Sequence, residues 1–194
     1  TVSLPETTRA NSAEGAFVNV VDSSEYTIRY ILQVYYKGEP SKERLVQYTD
    51  DKEATFDVRL VPGRPYRFVV WADIVNAANV EDGVKCEDNH YAIGTDLRYI
   101  SLNDTENPWV AMDETRDAYT GYADVDNYTS TSPIDLTLTR PFAKLRVVTT
   151  DLDELFAGNG YLPAKATVKF SPETKFYTAY NAFTGVVSEK TLEN

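Results

Sequence analysis

The sequence predicts an all-β fold, a sandwich of short strands, on three observations. Fourteen Tyr and eight Phe, with many Thr and Val, supply the aromatic and β-branched residues that favour strands. Apolar and polar residues alternate with period two in several separate runs. Turn signals separate these runs at intervals of about 8–12 residues, the spacing of a sandwich and not of a parallel α/β sheet.

The clearest element is YTIRYILQVYYK (26–37), where Tyr26, Ile28, Tyr30, Leu32, Val34 and Tyr36 share one face and Arg29, Gln33 and Lys37 lie on the other. In ATFDVRLV (54–61), Phe56, Val58 and Leu60 oppose Thr55, Asp57 and Arg59. The Pro/Gly turn VPGRP (61–65) then joins that run, as a connected pair of strands, to YRFVVWAD (66–73). The latter is apolar on nearly both faces and predicts a central strand covered from both sides. Residues 74–132 are richer in Asp, Asn and Gly and read as short strands and long loops, with runs at 97–102 and 119–125. Further alternations involve Ile134, Leu136 and Leu138, then Ala143, Leu145 and Val147, then Ala166, Val168 and Phe170. Two short helices are expected: one near 76–83, and one over 151–158 with Asp151 as N-cap and Gly158 as the stop. A domain boundary near Thr137 divides an N-terminal sandwich (1–136) from residues 137–194, which are too few for a full second sandwich and either complete the first domain or form a second, truncated β domain.

The bulk properties exclude several classes of function. A net charge of -11, spread along the chain, repels nucleic acid and anionic lipid. A single cysteine, Cys86, allows no intrachain disulfide. The chain has no initiator Met and no apolar run of signal or membrane-spanning length, which gives the expectation of a processed piece of a longer protein.

Catalytic machinery is not expected, and neither is a cofactor. His90 is the only histidine, so metal motifs with two histidines are excluded, and no G-x-S-x-G elbow occurs. A Cys86–His90 dyad is weighed against an ordinary loop histidine, and the loop reading is kept. Asp124 and Asp126, alternating in YADVDNY (122–128), are a weak calcium candidate without the rest of a calcium loop. Trp109, after Asn107-Pro108, is a candidate glycan contact, whereas Trp71 lies in an apolar run and reads as core. A surface glycan-binding β-sandwich is therefore the alternative function. At the N-terminus, Val2 and Leu4 alternate with Thr1 and Ser3 in a strand-like piece. A polar segment follows in which Arg9-Ala10 offers an extended site for a protease, weighed against an ordinary flexible N-terminus, which these residues alone favour.

Taken together, YRFVVWAD (66–73), RDAYTG (116–121) and LTRPFAKLRVVTTD (138–151), after a first strand ending in Thr-Arg-Ala, resemble the fimbrillin superfamily of Bacteroidales, the Mfa-like and FimA-like type V pilins. The resemblance runs from about Leu4 to NAFTGVV (181–187). It implies a transthyretin-like Greek-key β-sandwich, exported as an outer-membrane lipoprotein precursor and assembled into a cell-surface fimbria that supports adhesion. It implies as partners other pilin subunits, an Arg-specific maturation protease and a host or bacterial surface receptor. Cleavage at Arg9-Ala10 would remove residues 1–9, with Val2 and Leu4 on the lost strand, and a strand of another subunit would fill the groove. Eight or nine extended residues span roughly 30 Å, about one sandwich strand. The lipidated cysteine of the family is missing from this sequence, and the chain ends at SEKTLEN (188–194), where the family continues through a second sandwich.

Overall fold

The computed structural model describes residues 1–4, 25–77, 90–103, 113–129, 133–143, 150–160 and 167–187. Its strands are β1 (Val2–Ser3), β2 (Tyr26–Tyr36), β3 (Glu39–Pro40), β4 (Leu45–Thr49), β5 (Glu53–Ala54), β6 (Tyr66–Asn76), β7 (Tyr91–Ile93), β8 (Ile100–Leu102), β9 (Ala118–Val125), β10 (Leu136–Thr137), β11 (Ala179–Asn181) and β12 (Val186–Val187). The described residues also include an α-helix, α1 (Leu152–Asn159), and a 3-10 turn (Glu114–Arg116). The fold is an all-β sandwich.

Its centre is the antiparallel pair β2–β6, in register from Tyr26↔Asn76 to Tyr35↔Arg67. β9 pairs with the far edge of β6, and β3 and β4 share the outer edge of β2. The even-numbered face of this pair, including Tyr30, Leu32, Phe68 and Val70, packs on β1, β5 and the β10 region through Val2, Leu4, Ala54 and Leu138. The odd-numbered face, with Ile31, Tyr35, Val69 and Trp71, packs on the sheet β12-β11-β8-β7 through Tyr91, Ile100 and Tyr180. β6 is thus covered on both sides, as its sequence predicts, because both sets of its side chains are apolar.

β2 departs from its simple alternation. Its second face is also buried: Ile31 and Tyr35 enter the second core, and Arg29 and Gln33 are buried beside them. Gln33 Nε2 donates to the Lys42 carbonyl at 2.7 Å, and Arg29 pairs with Asp73. Burial of such groups is tolerable only with partners of this kind.

Several expectations are corrected. The run 54–61 does not pair with 66–73, because β2 and β9 take both edges of β6. Only Glu53–Ala54 is strand, yet Phe56, Val58 and Leu60 still turn inward against the first core while Thr55, Asp57 and Arg59 are exposed. α1 runs past Gly158 and stops at Gly160, whose left-handed φ of 70° closes the last turn, and Asp151 makes no side-chain cap. Val168 and Phe170 are exposed and form no strand. The expected helix near 76–83 and the alternation at 143–147 fall largely outside the described residues. β10 lies against β1, and β11 against β8. Among the described residues no helix is long and apolar enough to cross a membrane.

Candidate functional site

The site that stands out is the seat of β1. Thr1–Leu4 lies as the middle strand of a three-stranded sheet, parallel to β10 and antiparallel to β5. On one edge, the Leu136 amide donates to the Thr1 carbonyl at 3.0 Å and the Leu138 amide to the Ser3 carbonyl at 2.9 Å. The Thr1 nitrogen donates back to the Ile134 carbonyl at 2.9 Å. On the other edge, the Leu4 amide donates to the Lys52 carbonyl at 2.9 Å.

Period two sends Val2 and Leu4 inward, where they are only 6% and 5% exposed. Burying each such side chain is worth about 1.5–3 kcal/mol, and each backbone bond adds a net of about 1 kcal/mol. Thr1–Leu4 is therefore held by buried side chains as well as by backbone bonds. Gly121 explains how β10 comes so close to β9. A Cβ there would meet Leu138 Cδ2 at 3.1 Å and Leu136 Cδ1 at 3.4 Å, so a bare backbone lets that part of the seat settle inward.

The remaining sequence candidates separate. Arg9, Ala10, Cys86 and Trp109 lie outside the described residues. Trp71 is fully buried, packed edge-on to Tyr91 at 5.3 Å, in keeping with a core role. Asp124 sits on β9 with both carboxylate oxygens receiving hydrogen bonds from Arg67, each at 2.7 Å. Those bonds hold its carboxyl below the usual carboxylate range and raise the guanidinium further. Asp126 is exposed just beyond the strand. Among the described residues no three His, Cys, Asp or Glu side chains are grouped to hold a metal ion. His90 is buried, its Nε2 2.7 Å from Thr115 Oγ1 and 3.6 Å from Asp113 Oδ2. Thr115 in turn donates to Asp113 Oδ1 at 2.5 Å, so this cluster closes the 3-10 turn onto the chain before β7.

A family model, described as a family of unknown function (DUF6562), matches residues 1–194. The chain belongs to that family. No curated protein and no solved structure matches it.

Sequence reasoning found Val2 and Leu4 but missed what they sit on. Ala54, Leu136, Leu138 and Gly121 come from three distant stretches, and only the alternation of Leu136 and Leu138 hinted at a shared inward face. Chemically, the seat offers hydrogen-bonding groups on both edges and an apolar floor. Those are the requirements for holding an extended chain.

Proposed function

We propose that this chain is a non-enzymatic structural subunit of a bacterial surface fimbria, assembled by removal of its first strand and insertion of a strand from a neighbouring subunit. One observation carries the reading: a four-residue N-terminal segment is the middle strand of its sheet, bonded on both edges, with Val2 and Leu4 buried in the core. Its loss would strand the Lys52 and Ile134 carbonyls and the Leu136 and Leu138 amides beside an apolar slot. Such a gap is costly in water and is relieved by any strand of matching pattern. The contact between subunits is then head-to-tail and open-ended, which makes a filament. Arg9-Ala10 is the processing bond in this reading, and a transthyretin-like Greek key its topology. An Arg-specific protease, sibling subunits and a surface receptor are its partners. Its place is the cell surface, reached through an outer-membrane lipoprotein precursor.

Limited digestion with an Arg-specific protease tests the proposal, followed by N-terminal sequencing, sizing, and binding of a labelled peptide of residues 1–9. The expected result is a cut after Arg9, a folded remainder that forms oligomers, and a free peptide that competes with oligomer formation. A peptide with Asp at both inward positions should not compete. A cut chain that stays monomeric once the peptide is removed, or that takes up both peptides equally, would refute strand exchange.

A further inference from the structure

A second site lies at the end of the central sheet, where β3 and the turn before β6 face each other across a cleft of about 540 Å³, a volume in the usual range for small-ligand sites. Hydrogen bonds brace both of its walls. The Ser41 amide bonds the Val34 carbonyl at 2.9 Å on one side. On the other, Gly63 and Arg64 exchange backbone bonds with Tyr128 at 2.9 and 3.0 Å, and Tyr66 Oη donates to the Val61 carbonyl at 3.3 Å. The lining combines Tyr36, Pro40 and Leu60 with three exposed cations, Lys42, Arg59 and Arg64. Arg64 also stands 5.3 Å from the centre of the Tyr36 ring, and Lys37 Nζ 5.4 Å from it.

The grouping of charge makes this cluster informative. The chain carries 30 acidic against 19 basic residues, so carboxylates are in excess. Arg29, Arg67, Arg98, Arg116 and Arg140 pair with them. Among the described residues Lys42, Arg59 and Arg64 have no carboxylate partner; Lys37, Arg44, Lys52, Lys169 and Lys175 have none either, but only the first three line one cleft together. Glu39, the one acid on the lining, is turned toward Arg98, 3.7 Å away. Three unneutralised cations around one apolar-walled cleft form a site for an anion with an apolar side. An alkyl chain would stay wet here, since Pro40, Ser41 and Val61 are exposed. The better fit is a ligand with a carboxylate, a C–H face and hydroxyls that remain in water.

We propose that this cleft binds a carboxylated sugar residue of an acidic glycan, its carboxylate held by Arg59, Arg64 and Lys42 and its C–H face against Leu60 and Pro40. The site shares no residue with the seat of β1 and does not depend on strand exchange.

Titration of the intact chain with a galacturonic acid trisaccharide, followed by calorimetry, is the test. The trisaccharide should bind at least about tenfold more tightly than its neutral methyl ester, a difference that added salt reduces. The exposed pair Arg59→Gln and Arg64→Gln should weaken binding by about tenfold or more with an unchanged thermal midpoint. Equal binding of acid and ester would overturn the anionic site. Displacement by sulfate at matching concentration would reduce it to a simple anion site. A hexaglutamate peptide binding as tightly would reassign the cleft to an acidic protein partner. Absence of binding by the trisaccharide would end the proposal.

Discussion

Arg29 and Asp73 lie directly across from each other on β2 and β6, and the guanidinium donates to both carboxylate oxygens, at 2.8 and 2.6 Å, in a site almost without solvent. They occupy the odd-numbered face, among apolar residues of the second core. Removing one partner leaves a buried charge without its counter-ion. Asp73→Ala should therefore lower stability by about 3–5 kcal/mol in urea unfolding. The joint replacement Arg29→Met with Asp73→Leu should recover most of that loss, because an apolar pair of similar volume leaves no charge to desolvate. A double variant as unstable as the single one would show that the other contacts of Arg29 matter more than this pair.

Leu4 tests the grip on the first strand. It is nearly fully buried, so Leu4→Ala should lower stability by about 2–5 kcal/mol, read from the denaturant midpoint at an unchanged slope. Ser3 alternates outward and is partly exposed, and Ser3→Ala should change little. Equal effects at the two positions would mean that the side-chain alternation of β1 does not hold it.

Gly121→Val should act on the same seat from below. The added methyls run into Leu136 and Leu138, and an overpacked site of this kind typically costs about 1–3 kcal/mol. Hydrogen exchange at the Leu136 and Leu138 amides, which bond β1, should accelerate more than exchange within β2. Uniform acceleration would place the damage elsewhere.

The stack around Phe183 anchors the outer hairpin. Arg67 lies 4.9 Å from the centre of its ring and Arg98 5.0 Å, while Tyr35 packs against it at 4.7 Å. Arg67 Nη1 also donates to the Phe183 carbonyl at 2.8 Å. Phe183→Ala should speed proteolysis or amide exchange over 179–187 and leave β2 and β6 protected. Loss of protection in all three segments together would show that the hairpin is not a separate unit of opening.

Alkaline pH should destabilise the fold through its buried tyrosines. Burial, with the charge of Asp96 next, pushes the Tyr35 hydroxyl up to about 12. Burial also raises Tyr30 and Tyr119 well above the ordinary range, helped by Asp51 and Asp117 respectively. These groups keep their protons longer when folded than when unfolded. Their contribution to stability is complete below about pH 10 and is lost as pH rises through the folded values. Phenolate absorbance followed with circular dichroism should show an early wave of exposed tyrosines, then a late wave coincident with unfolding. A single wave with the fold intact would contradict the burial of these three.

The sequence disclosed the strands whose faces differ most clearly. The even face of β2 and both faces of β6 are legible because Tyr, Ile, Val and Phe recur with period two and the chain is extended. The second core was harder to see. Ile31 and Tyr35 alternate with Arg29 and Gln33, a pattern that looks like a wet face until Asp73 on the neighbouring strand is brought opposite Arg29. The run 54–61 has the inward alternation of a strand without a ladder, because pattern reports where side chains point and not which edges are free. The seat of β1 depends on residues from 52–54, 121 and 134–138, and nothing local in the sequence indicates that they meet.

The two-sided bonding of Thr1–Leu4 has a mechanical consequence. A strand tied at one edge can be unzipped bond by bond when its end is lifted. Pulled along its own axis between two neighbours, it loads its bonds on both edges together and must break them nearly at once. Any strand lying in that position would therefore resist lengthwise tension far better than lifting from one end.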